Sequence, residues 1–234
     1  MIKDELIQRS PVRVFEQSIH GGLGAGELGL IASQSGIGKT SVLVQIALDK
    51  LLQAKKVIHV SFTQHTDYVL AWYENIFAEF IKKENLENIG DMKNELIKNR
   101  VLMNFNQEGI TTDQILRSLQ ALIREGGFKA ESLIIDGFDF TRGSKEHFAA
   151  VKAFARDLGL SVWYSCNVKG AAAPEGPQPI PGLLKDYLDL LDVVIVLDPT
   201  PDYIALSVSK DRDTYNPSAL ALRLDPRTLL ILEG

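Results

Sequence analysis

The sequence predicts an α/β protein with a mostly parallel sheet flanked by helices and antiparallel hairpin strands at its C-terminal end. Three observations carry this reading. Short apolar runs alternate with stretches of helical periodicity, the pattern of parallel strands joined by crossover helices. A glycine-containing loop, "SQSGIGKT" (33–40), links the first strand to the first helix. Beyond residue 200 the pattern changes to period-two and apolar runs separated by turns, as in hairpins added at a sheet edge.

The elements follow in order. "LGLIAS" (28–33) reads as a buried strand, and 39–56 has apolar residues at helical spacing. "VIHVSF" (57–62) is the next strand, and 67–83 an amphipathic helix whose Trp72, Tyr73, Phe77 and Phe80 share a core-facing spacing. "VLMNF" (101–105) suits a short strand before a helix at 111–126. "SLIIDGF" (132–138) is a strand that delivers an acid, Asp136, at its end. A helix near 144–158 leads to the strand "LSVWYSC" (160–166). The segment 170–182, rich in Gly, Ala and Pro, reads as an extended loop. A short helix near 183–190 precedes the strand 192–198, and the hairpin runs are 203–210, 218–225 and 228–233. Without a linker-like stretch, residues 1–234 read as one domain.

Composition narrows the class. The chain has 234 residues, 45% hydrophobic and 24% charged, enough for a sizeable core without disulfides. Cys166 is the only cysteine, which excludes an internal disulfide and suits a reducing cytoplasm. It ends an apolar strand and reads as packing. The opening residues carry acids and resemble no signal peptide, and the run 190–197 is too short for a membrane span. The net charge of −5 gives no basic footprint for nucleic acid, and loop 170–182 contains Glu175 but no Lys or Arg. His20, His59, His65 and His147 show no metal-ligand spacing.

The chemistry centres on the first loop. A strand–loop–helix offers backbone N–H groups and the positive end of a helix to a chain of phosphates. Ser33, Gln34, Ser35, Gly36, Ile37, Gly38, Lys39, Thr40 and Ser41 are the residues expected around them. Lys39 would reach the β- and γ-phosphates, and Thr40 would ligate Mg²⁺. Ser33 stands where the usual pattern has its first glycine, and a small residue with negative φ satisfies that turn. Asp136, roughly 100 residues later at a strand end, can hold Mg²⁺ through water. Lys210 and Arg212 alternate along an expected strand and so point to one side. From spacing alone they fit a solvated edge equally well.

"GGLGAGELGLIASQSGIGKTS", "LIIDGF", "LLDVVIVLD" and "SKDRD" followed by two strands resemble a RecA-superfamily ATPase core. The KaiC-like branch is nearest, then the DnaB- and RadA-like ones. The resemblance spans about residues 12–232. It implies a RecA-like fold with ATP and Mg²⁺ as ligands, and another strand between the loop strand and that of Asp136. It also implies a polar γ-phosphate sensor at Asn167, and Lys210 and Arg212 acting as a finger on the next subunit's nucleotide. A head-to-tail homo-oligomer, for instance a hexamer, would follow.

One departure matters. Where such ATPases carry one or two glutamates after the second strand, this chain has Thr63 and Gln64. Neither is a carboxylate base, although Gln can orient water, and losing a general base costs about 10²–10⁴-fold. The nearest other acids are Asp67 and Asp139. The expectation is a cytoplasmic Mg²⁺-ATP-binding protein with slow or absent hydrolysis. It would act by nucleotide-dependent assembly or signalling, with no nucleic acid and no membrane insertion. A nucleic-acid-dependent motor and a scaffold without nucleotide are the alternatives; the sequence names no protein partner.

Overall fold

Helix and strand chemistry alternate along the chain as the apolar pattern requires. The structure, a computed structural model, describes residues 7, 10–86, 90–168, 182–215 and 218–234. The first elements are α1 (Pro11–Ser18), β1 (Leu28–Ser33), α2 (Lys39–Leu52), β2 (Val57–Ser61), α3 (Thr66–Lys83), α4 (Gly90–Lys98) and β3 (Arg100–Asn104). Then come α5 (Thr112–Gln120), β4 (Ser132–Asp136), α6 (Lys145–Leu158), β5 (Ser161–Asn167), β6 (Val193–Pro199), β7 (Ile204–Asp211), β8 (Ser218–Leu224) and β9 (Ile231–Glu233). No helix among the described residues is long and apolar enough to cross a membrane.

The nine strands form one sheet in the order β3-β2-β4-β5-β1-β6-β7-β8-β9. Pairings from β3 through to β6 are parallel, and those of β6–β7, β7–β8 and β8–β9 are antiparallel. The sheet is therefore α/β and mostly parallel, with antiparallel C-terminal strands. β5 lies between β1 and β4, the interposed strand expected between the loop strand and that of Asp136.

The central strands are buried on both faces. In β1, Leu28, Leu30 and Ala32 join one apolar cluster with α5 and α6, while Ile31 joins the other with α1, α2 and α3. β6 splits likewise, with Val194 and Val196 on the first face and Val193, Ile195 and Leu197 on the second. This two-sided burial explains why these strands read as continuous apolar runs.

Several boundaries have local causes. α2 stops at Leu52, short of the expected 56, and Ala54 turns the chain with a φ of 60°. α5 opens with a capping box between Thr111 and Gln114, then widens into a π-helical stretch, Ala121–Glu125. β4 ends at Asp136, not 138, because Gly137 takes a φ of 76°. The short helix expected near 183–190 is a 3₁₀ helix, Gly182–Tyr187. α1 and α4 are absent from the sequence reading; α1 starts on Pro11, which suits a first helical position. Loop 170–182 lies outside the described residues except for Gly182.

The C-terminal strands are stitched to α2. Gln45, buried on α2, donates to Leu229 O at 2.9 Å and accepts from Ile231 N at 2.7 Å. Replacing it with Leu strands the Ile231 N–H in an apolar setting. Gln45→Leu is expected to destabilise the protein by about 1–3 kcal/mol, measured by urea unfolding; an unchanged midpoint would show that β9 is held by other means.

Candidate functional site

The loop between β1 and α2 sits at the carboxyl end of the parallel strands. Its turn needs positive φ at Gly36 (81°) and Gly38 (112°). A Cβ on Gly38 would also run into the Leu224 side chain of β8. Ser33 remains in β1 with φ outside the positive range, so the missing glycine imposes no strain. It has a consequence instead. The fully buried Ser33 hydroxyl donates to Gln34 O at 2.9 Å and accepts from the Lys39 ammonium at 3.1 Å. Lys39 also donates to Ser33 O at 3.2 Å and Gln34 O at 2.7 Å. A glycine could not supply that hydroxyl.

Lys39 is 8% exposed. Burial lowers its pKa to about 8, against the opposing attraction of Asp136. An ammonium held in this way gains from an arriving anion.

Thr40, in the first turn of α2, donates to Asp136 Oδ2 at 2.8 Å. Ser165 on β5 donates to Oδ1 at 2.5 Å and accepts from Gly137 N at 2.8 Å. Asp136 is 4% exposed, so both oxygens of a buried carboxylate are satisfied by hydroxyls from two different elements. Among the described residues there is no group of three or more His, Cys, Asp or Glu able to hold a metal. Thr40 and Asp136 offer a hydroxyl and a carboxylate. That donor set fits a hard cation drawing its remaining ligands from phosphate and water, which is the habit of Mg²⁺.

A cleft of about 300 Å³ opens over these groups. The sequence-expected Ser35, Gly36, Gly38, Lys39, Thr40, Thr63, Gln64, Asp136 and Asn167 all line it. Ser33, Gln34, Ile37 and Ser41 do not, Ser33 and Gln34 serving instead as acceptors for the Lys39 ammonium. The Ser41 hydroxyl turns away to Leu229 O at 2.5 Å, and Ile37 packs on the apolar cluster. Trp72, Gly137, Ser165 and Leu229 line the cleft without having been anticipated there. Ser165 was within reach of the sequence, two residues before Asn167 and on the same strand face.

Thr63 is exposed and sits where a Cβ on Gly137 would collide with its hydroxyl. Gln64 is fixed through its backbone, with N donating to Ser61 Oγ at 3.0 Å and O accepting from Asn104 Nδ2 at 2.7 Å. Its side-chain Oε1 is buried with no hydrogen-bond partner among the described residues. Asp136 is the one carboxylate among the described lining residues. The Asp67 side chain is 85% exposed beside His65, and Asp139 caps the 3₁₀ turn Phe140–Arg142.

No family model matches the chain, and no curated protein does.

The expected projection of Lys210 and Arg212 together from one strand is not found. β7 ends at Asp211, Arg212 has φ 49°, and a bulge shifts the register between Val194 and Ile195. Lys210 is 5% exposed and donates to Leu188 O at 2.6 Å and to Leu191 O. Arg212 forks onto Glu27 at 2.8 and 3.1 Å and reaches Ile19 O at 2.9 Å and Gly22 O at 2.7 Å. The physical reason is local: the segment 19–27 presents carbonyls and a carboxylate beside the strand end, and the guanidinium fork satisfies them at once. Cys166, 1% exposed, is held protonated by burial, its pKa pushed up to about 12.

Arg212→Ala is therefore expected to cost about 2–3 kcal/mol of stability, the scale for lost hydrogen bonds to a charged group. Chemical unfolding at several protein concentrations checks this. A loss that appears only at concentrations where copies associate would return Arg212 to an intersubunit role.

Proposed function

We propose that the protein binds Mg²⁺-ATP in the cleft over Lys39, Thr40 and Asp136, as a RecA/KaiC-like protein, and turns it over slowly or not at all. The observation that carries this reading is the Thr40–Asp136 hydrogen bond. It joins the two residues that the sequence offers independently for the metal, from segments 96 residues apart. The placement of β5 between β1 and β4 supports the same reading.

Each chain residue has a task in it. The amides of the loop and the N-terminus of α2 receive the phosphates. Lys39 leaves its carbonyl acceptors for phosphate oxygens. Thr40 and Asp136 would hold Mg²⁺, which would supply positive charge to offset that of the phosphates. Asn167 lies at the cleft wall, where a polar side chain can register the terminal phosphate. The unpaired Gln64 Oε1 can accept a hydrogen bond from water but is too weak a base to take its proton. A nucleotide held without rapid turnover acts as a stable signal, stabilising whichever form binds it by mass action. Head-to-tail self-association belongs to this proposal, but Lys210 and Arg212 are committed within the chain and would have to leave those partners to take part.

Calorimetry should show Mg²⁺-ATP binding that falls at least about tenfold in Lys39→Ala, the scale of one charge-assisted contact. Bound phosphate raises the Lys39 pKa from about 8, so binding near pH 8 should take up protons and affinity should decline as pH rises above that value. Titrations in buffers of different ionisation enthalpy read this directly. No binding by the wild type would remove the proposal.

Turnover is tested separately. Phosphate release at saturating ATP should be slow, and Gln64→Glu should raise it by about tenfold or more, within the range of a restored base. Fast release by the wild type, unchanged in Gln64→Glu, would show that catalysis does not depend on this position.

A further inference from the structure

A second and larger cleft lies between α2, α3, α4 and β3, with a volume of about 800 Å³. It shares no lining residue with the loop cleft among the described residues. Leu48, Phe77, Leu96 and Leu102 give it apolar walls. Its size falls in the range of small-molecule sites, about 300–1,000 Å³.

Arg100 is the feature that an apolar packing defect would lack. It stands at the start of β3, the edge strand, with its guanidinium carbon 4.3 Å from the centre of the Tyr73 ring. The ring is itself fixed, because Tyr73 is 1% exposed and its hydroxyl lies 3.1 Å from His59 Nδ1. The guanidinium has no ion pair and no hydrogen bond with any other described residue. Stacking covers its face, and its N–H edges meet no acceptor among the described residues. Glu74 is the one carboxylate among the described lining residues, and it attracts the Arg100 charge without forming an ion pair with it. It lies 3.9 Å from Lys93, and its side chain is 54% exposed. Lys82, Lys93 and Arg100 make the lining cationic.

We propose that this cleft binds a small amphiphilic anion, an apolar chain ending in a carboxylate. The chain would lie along the leucine and phenylalanine walls. The carboxylate would take the fork of Arg100, whose planar pair of N–H groups matches two oxygens. A nucleotide fits poorly, because the site offers one fixed cation and no glycine loop for several phosphates. The inference is independent of ATP binding at the other cleft.

The test uses decanoate below its micelle-forming concentration and the full chain without nucleotide, followed by calorimetry. Saturable binding of one decanoate per chain is expected. Arg100→Gln should weaken it about tenfold or more, while 1-decanol, which lacks the charge, should bind the wild type and Arg100→Gln alike. Ala78→Trp places a ring into the cleft from an exposed position on α3 and should abolish binding. Its melting temperature and ATP affinity should stay at wild-type values. Absence of saturable binding, equal affinity in Arg100→Gln, undiminished binding in Ala78→Trp, or displacement of decanoate by ATP would each overturn the assignment.

Discussion

The hydrogen bond from Thr40 to Asp136 fixes the relation between the first turn of α2 and the end of β4. The strand that leads into α2, β1, is not a neighbour of β4 in the sheet, since β5 runs between them. β5 completes the link by sending Ser165 to the other oxygen of the same carboxylate. A buried carboxylate must be satisfied on both oxygens. The need to satisfy Asp136 therefore gathers β1, β4, β5 and α2 at one end of the sheet. The cleft is the space that this gathering leaves open.

The antiparallel strands depend on the same helix from behind. Ser41 and Gln45 lie one and two turns from the loop and both bond Leu229 O. Leu224 occupies the space that a side chain on Gly38 would need. Leu229, held at a φ of 57°, then lines the cleft. The hairpin is thus a wall of the site as well as an edge of the sheet. This accounts for Ser41, expected at the phosphates, serving the hairpin instead: its hydroxyl lies on the face of α2 that looks at β8 and β9.

Much of the fold could be read from periodicity because the central strands are buried on both faces and stand out as apolar runs. The strand–loop–helix and Asp136 were legible for the same reason, their residue types being tied to position at strand ends. What escaped the sequence was governed by contacts distant along the chain. Trp72 has core-like spacing, yet it sits where α3 borders the cleft. α4 is polar on most of its surface, with Leu96 its one buried residue, so its period is faint. Lys210 and Arg212 could not be placed because a bulge and a left-handed turn reset their directions, and no local residue announces either.

The fate of those two cations follows from desolvation. An ammonium buried beside a strand keeps its charge only where carbonyls or carboxylates surround it. Lys210 finds the carbonyls of Leu188 and Leu191, and nearby Lys152 binds both oxygens of Asp192, whose Oδ2 also receives Leu28 N. One polar network therefore closes the segment before β6 against β1 and β7. Arg212 does the same for the turn that feeds β1. The start of β1 and the end of β7 are locked by charge, while the end of β1 opens into the glycine loop. The strand is thus tied by charged groups where it begins, and its far end leads into a loop whose turn is set by the positive φ of Gly36 and Gly38.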